Sequence, residues 1–154
     1  MLLRHTVWLV LLFSLFCSPP AHAKPVPIVF ERISGLIVVQ ARVNQGPPAT
    51  FIVDTGASIS LVSHAFVRQR RLKSISRKVH LSVVGSNKAQ AVTLVQLDHF
   101  AIGNVVINNQ QAIVQNLDAI ENLLKRPLAG VIGASFLQHY RVVIDYPRRI
   151  LLLE

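Results

Sequence analysis

The chain has 154 residues, 51% hydrophobic and 15% charged, with a formal net charge of +9. That length holds one domain and one core, not two. A single cysteine, Cys17, excludes an internal disulfide framework. His64, His80, His99 and His139 lack metal-ligand spacing, so no metal site and no cofactor is expected.

Arg4 and His5 precede an apolar run from Val7 to Phe16, interrupted only by Ser14, and Ala21-His22-Ala23 has the small-x-small pattern of a signal-peptidase site. The run is too short to span a bilayer. Residues 1–23 therefore read as a signal peptide removed after Ala23, leaving a mature domain of residues 24–154 that is periplasmic or secreted. One alternative is a lipoprotein linked through Cys17, against which stands the bulky Phe16. The other is a membrane anchor formed by an uncleaved N-terminus. Cys17, Trp8 and Met1 all fall within the segment, so the exported domain has to be held by its apolar core and by any partner subunit.

Residues 24–154 contain all seven acids and fifteen of the sixteen Lys and Arg, a balance of +8. Much of it sits in Arg68-Gln69-Arg70-Arg71-Leu72-Lys73 and in Arg77-Lys78. Such a run reads as a solvated helix face and loop, or else as a surface steered toward an anionic membrane or cell wall. Export argues against nucleic acid as the partner.

After a Pro-bearing leader, Ile28 to Arg32 reads as a first short strand. Leu36 to Val43 is β-rich, Asn44-Gln45-Gly46-Pro47-Pro48 is a strong turn, and Ala49 to Val53 returns as the second arm of a hairpin. Ile59 to Val62 is extended, and Ser63 is placed to cap a short helix reaching Arg71. Val79 to Val84 and Ala89 to Leu97 form a long hairpin about Gly85-Ser86-Asn87-Lys88, which reads either as a plain hairpin or as a covering flap. Shorter strands follow at Phe100 to Ile102, Val105 to Ile107 and Ala112 to Val114, placing Asp98 between strands. Asn116 is predicted to cap a helix from Leu117 to Arg126 that Pro127 ends. Leu128 to Leu137 reads as a buried strand, a glycine and a short helix, followed by strands at Arg141 to Asp145 and Ile150 to Leu153.

The stretch that organises these elements is Phe51-Ile52-Val53-Asp54-Thr55-Gly56-Ala57-Ser58. An apolar strand stops at a carboxylate and is followed by residues suited to a tight turn. Gly56 permits another backbone to approach, and Thr55 puts a hydroxyl beside the acid. It resembles the active-site turn of the aspartic peptidases, hydrophobic-hydrophobic-Asp-Thr/Ser-Gly-Ala/Ser. Val131-Ile132-Gly133 stands 77 residues after Asp54 and resembles the hydrophobic-hydrophobic-Gly strand that follows the flap in that family. With the hairpin between them, the two signatures cover nearly the whole mature chain. They are most similar to the single-lobed, retropepsin-like bacterial group.

The resemblance implies an all-β fold: one lobe, closed as a retropepsin-like acid-protease barrel, with short helices after the Asp-Thr-Gly-Ala loop, before Pro127 and after Gly133. It also implies hydrolysis by water held between two carboxylates that share a proton, with no metal and no covalent intermediate. The chain has one such motif, so the resemblance implies a homodimer in which each subunit contributes Asp54. Thr55 is then expected to bond across the axis, Gly56 to donate its N–H to a carboxylate oxygen, Ala57 to be the small residue of the turn, and Ser58 to hold the turn or meet substrate. Val84, Gly85, Ser86 and Asn87 become the flap tip over an extended peptide. The tip departs from the family in having fewer glycines and no aromatic residue.

Other chemistries find no footing. Ser135 lacks the glycines of a nucleophile elbow and reads as a helix-start residue. Gly130-Val131-Ile132-Gly133 lacks the lysine and the spacing of a phosphate loop. Two functions are carried forward: an exported aspartic endopeptidase acting on peptide or protein substrates, and a non-catalytic peptide-binding or assembly module of the same fold. Ile150 to Leu153 either fills its own core or, as in the retroviral relatives, helps to knit a dimer.

Overall fold

A computed structural model describes residues 26–82 and 89–154. The segment read as a signal peptide and the flap-tip residues Val84, Gly85, Ser86 and Asn87 lie outside the described residues. The described residues form eleven strands and three short helices: β1 (Ile28–Val29), β2 (Glu31–Ile33), β3 (Leu36–Val43), β4 (Ala49–Val53), β5 (Leu61–Ser63), α1 (His64–Arg70), β6 (Ser74–Ser82), β7 (Ala89–Ile102), β8 (Val105–Gln115), α2 (Asp118–Leu124), β9 (Gly130–Ile132), α3 (Ala134–Leu137), β10 (Val142–Asp145) and β11 (Ile150–Leu153).

The β3–β4 hairpin turns at Asn44 and Gln45, both at positive φ (47° and 61°). Two successive left-handed residues give a turn whose twist matches that of the flanking strands. The larger sheet runs β2-β3-β4-β9-β5-β8-β7-β6, and a further pairing of β3 with β7 closes six of these strands into a barrel. The fold is thus the single-lobed, retropepsin-like barrel. A separate sheet, β1-β11-β10, packs beside it.

The apolar runs at Ile37-Val38-Val39, Phe51-Ile52-Val53 and Val131-Ile132 have a common cause. Their alternate side chains enter two different cores. Ile37, Val39, Phe51, Val53 and Ile132 face the barrel interior, while Val38, Ile52 and Val131 join Leu117, Leu124 and Leu128 under α2. A strand covered on both faces loses the polar alternation of a half-exposed one. Inside the barrel, Phe66, Phe51, Phe100, Phe136 and Tyr140 form a chain of ring contacts with centroids 5.1 to 5.8 Å apart. All but the last contact are edge-to-face, the arrangement aromatic quadrupoles favour.

Three expectations are corrected. First, β7 and β8 are continuous, so Asp98 and His99 lie within a strand; the polar Asn108, Gln110 and Gln111, which break the apolar pattern, still pair with His99, Leu97 and Gln96 in the ladder. Second, Ile28 to Arg32 divides into two strands serving different sheets. Third, Asn116 precedes the cap of α2. Leu117 holds the cap position without a side-chain bond, and Asn116 Oδ1 accepts from Asp118 N at 2.8 Å instead. That helix stops at Leu124 because Lys125 is left-handed (φ 52°). Ser63 does cap α1, its Oγ accepting from Phe66 N at 3.1 Å.

β9 lies parallel to β4 and antiparallel to β5, and Gly130 has no room for a side chain. A Cβ there would lie 2.1 Å from the Leu61 carbonyl oxygen. Gly130→Ala is expected to destabilise the protein by about 3 kcal/mol, read as a lower urea midpoint with an unchanged slope.

Arg126 grips Glu31 with two bonds of 2.9 and 3.0 Å. These bonds lower the Glu31 pKa below its ordinary value of 4.5. The pair therefore contributes at pH values above the unfolded pKa, and its contribution is lost as pH falls through the depressed folded value. The melting-temperature difference between wild type and Glu31→Gln should be small at neutral pH, as for any surface ion pair, and should vanish in acid.

Candidate active site

Asp54 follows the last residue of β4, and its backbone N–H donates to Ile132 O on β9 at 3.0 Å. The acid is thus fixed at the mouth of the barrel by the parallel β4–β9 pair. Gly56 N donates to Asp54 Oδ1 at 2.9 Å and Ala57 N to Asp54 O at 3.3 Å, so the turn curls back on the carboxylate and orients it. Asp54, Thr55, Gly56 and Ser58 are exposed, and Ala57 is half-buried.

The second signature lies against this loop. A Cβ on Gly133 would come within 2.6 Å of Ala57 O and 2.8 Å of Ile59 O, so the loop can approach only because residue 133 has no side chain. Ala134 N and Ser135 N then donate to Ala57 O (2.7 Å) and Ser58 O (3.1 Å), tying the start of α3 to the acid-bearing loop. Among the described residues, no other backbone makes the close approach read from Gly56. The one described atom near a Cβ on Gly56 is Asp54 Oδ1 at 3.2 Å, and the tight approaches belong to Gly130 and Gly133.

Two serines complete the support. Ser60 Oγ accepts from Gly133 N at 3.1 Å and lies 3.0 Å from Ser135 Oγ, which accepts from Ser60 N at 2.9 Å. Ser60 is buried, and this closed set of bonds satisfies polar groups at the point where β9 enters α3. Ser135 thus starts its helix and also braces the Asp54 loop. Ser60 was not singled out from the sequence, because its partners are 73 and 75 residues away.

Beside the acid lies a cleft of about 260 Å³, walled by Leu36, Ile37, Ile52, Ile144 and Tyr146, with Asp54 and Thr55 at its edge. No second acid lines it. Of the other six acids, Glu31, Asp145 and Glu154 pair with Arg126, Arg148 and Arg141, and Asp118 bonds Asn116. Glu121 accepts from Leu128 N, and Asp98 is exposed on β7. Asp145 sits between two cleft residues in sequence, but its oxygens accept from the Arg148 backbone and guanidinium.

A family model described as aspartyl protease matches residues 39–136, which run from β3 through Asp54 and the second signature to α3. The chain belongs to the aspartyl protease family. None of the curated proteins matches this aspartyl protease. Among solved structures, it is similar to a retropepsin-like aspartic protease from Rickettsia conorii at 22% identity and a TM-score of 0.55, over 84% of this chain and 88% of that one. It is also similar to the retroviral protease-like domain of Ddi1 from Leishmania major, at 15% identity and a TM-score of 0.51, over 77% and 90% of the two chains. These likenesses establish the shared fold.

Removing either serine hydroxyl leaves buried N–H groups without acceptors. Ser60→Ala and Ser135→Ala should each cost on the order of 2 kcal/mol, and the double variant less than their sum. Denaturant titration of the four proteins checks both statements.

Proposed function

We propose that this chain is an exported aspartic endopeptidase that works as a homodimer, with the two Asp54 carboxylates holding one water between them. The observation that carries the reading is the isolation of Asp54. It is exposed and held at a strand end in its family's turn, while five of the other six acids are engaged elsewhere in the fold and the cleft offers no second carboxylate.

Two carboxylates that meet across an axis cannot both ionise at low cost, so a pair shares one proton. The ionised member takes a proton from the water as its oxygen attacks the peptide carbonyl carbon. The protonated member gives its proton to the carbonyl oxygen. The tetrahedral diol then collapses: the carboxyl that took the water's proton gives it to the nitrogen, a diol hydroxyl returns a proton to the other carboxylate, and the C–N bond breaks, yielding a carboxylic acid and an amine and restoring the singly protonated pair. Asp54 and its twin perform these proton transfers, while Gly56 N–H keeps each carboxylate oriented. The cleft beside Asp54 and Thr55 is open enough to receive an extended peptide. Export is supported by the apolar run before Ala21-His22-Ala23, the small-x-small pattern of a signal-peptidase site.

The protein should cleave an unbiased peptide library with a bell-shaped profile between about pH 3 and 7, because only the singly protonated pair is competent. Asp54→Asn should lower the rate by on the order of a thousand-fold while leaving self-association intact. Undiminished cleavage by that variant would remove Asp54 from the mechanism. A species that stays monomeric with a peptide-like transition-state inhibitor present would favour the non-catalytic module instead.

A further inference from the structure

The charges of this chain are unevenly placed. Residues 55–97 hold seven Lys and Arg and no Asp or Glu. Within that stretch, α1 turns Phe66 into the barrel and shows His64, Ala65, Arg68 and Gln69 to solvent. His64 and Arg68 are four residues apart and so stand one above the other on the helix surface. Arg71, which ends the helix in a left-handed conformation, and Lys73 continue the exposed basic surface. Arg42 adds to it from β3. Its side chain shares the strand face of Gln40, which lines a cleft together with Gln69 and Arg70 of α1.

Arg70 differs from these residues in having a structural task. It is half-buried, lies over the Phe66 ring at 5.5 Å and donates to Pro47 O at 3.0 Å, which fastens α1 to the turn before β4. The four exposed cations Arg42, Arg68, Arg71 and Lys73 have none. All seven acids are among the described residues, yet none forms an ion pair with any of the four. Glu121 lines the adjoining cleft but accepts from Leu128 N. Asp98 lies on β7 beside His99, whose N–H donates to Asn44 of the same turn, and it too pairs with none of them. Unneutralised cations gathered on one face repel one another and create a positive field that an opposing negative surface relieves.

The face also lies at a defined end of the barrel. The bond from Arg70 holds the end of α1 two residues before β4, and Ser63 N, at its start, donates to Ala129 O beside Thr50. Asp54 follows the opposite end of β4, about 16 Å away by the rise of five extended residues.

We propose that the face formed by Arg42, Arg68, Arg71 and Lys73 docks on an anionic lipid bilayer through the headgroup phosphates, with the mouth of the barrel turned away from the membrane. Lipid is favoured over an acidic polypeptide by the surroundings of the four cations. The adjoining cleft presents the Glu121 carboxylate, which repels an acidic segment, and such a segment would be held at the end of β4 remote from Asp54. A plane of phosphates needs no cleft and leaves Asp54 open to solvent. Clusters of this size attract anionic lipid at about fivefold in partitioning for each Lys or Arg near the surface. With no apolar side chain in the set, the attachment is electrostatic, reversible and weakened by salt.

Flotation of the full chain with vesicles of phosphatidylcholine, with or without one part in three of phosphatidylglycerol, tests this over a range of lipid concentrations. The apolar run from Val7 to Phe16 adds the same attachment to every variant, so the ratio of partitioning between the two vesicle types is the quantity read. In the wild type that ratio should be on the order of several hundred at low salt and should fall as salt is raised. The triple variant Arg68→Gln, Arg71→Gln, Lys73→Gln should lower it by about a hundredfold. Arg141→Gln, Arg148→Gln, Arg149→Gln removes the same charge from the terminal hairpin and should change it by less than about threefold. Arg68→Lys with Arg71→Lys keeps the charge and should bind as the wild type does. A wild-type ratio near one, equal losses in the two triple variants, or a loss in the charge-keeping variant would each overturn the proposal. So would a wild type that ignores anionic vesicles and is retained instead by polyglutamate, which would make this a face for acidic protein. None of these measurements uses cleavage, so their outcome is independent of the peptidase reading.

Discussion

The structure depends on a steric constraint at two residues. Gly130 and Gly133 bracket β9, and in each case a single added carbon would collide with a carbonyl oxygen of the loop or strand beside it. Without side chains there, β9 fits between β4 and β5, the barrel closes, and the segment following Asp54 folds down onto the start of α3. The position of the acid is set by this fit rather than by any bond to the carboxylate itself. The bond from Gly56 then fixes the direction in which the carboxylate points.

The distribution of acids follows a related logic. A chain with a formal charge of +9 has few carboxylates, and most of them serve the framework. Glu31 fastens β2 to the loop after α2, Glu154 and Asp145 secure the ends of the terminal hairpin, and Glu121 holds the Leu128 backbone where the chain enters β9. Asp54 makes its described side-chain bond to the backbone of its own turn and, unlike these acids, lies at the edge of the cleft.

The parts of the fold legible in the sequence are those with a local cause. The hairpin feeding Asp54 could be read to the residue because Asn44-Gln45-Gly46-Pro47-Pro48 punctuates two β-rich arms, and Ser63 declared its helix by its own side chain. Val131-Ile132-Gly133 could be tied to Asp54 through the resemblance alone, since nothing local says which strand it will lie against. Features decided at long range escaped. The polar Asn108, Gln110 and Gln111 hid the continuity of β8 because their support comes from β7 across the ladder. Ser60 and Ser135 look ordinary until the chain brings them to 3.0 Å. Ile144 and Tyr146 were read as parts of a terminal hairpin, yet they wall the cleft beside the acid.

The parallel pairings of β4 with β9 and β5 with β8 join segments far apart along the chain, Phe51 to Gly130 and Leu61 to Ile113. Such contacts carry a large loop-closure entropy before they return any stabilisation, so barrels built on them form slowly. A growing chain cannot complete this barrel until residue 132 is available to lie beside Val53. Until then β4 presents Phe51, Ile52 and Val53 without the strand that lies beside them, the kind of transiently exposed apolar edge that favours aggregation.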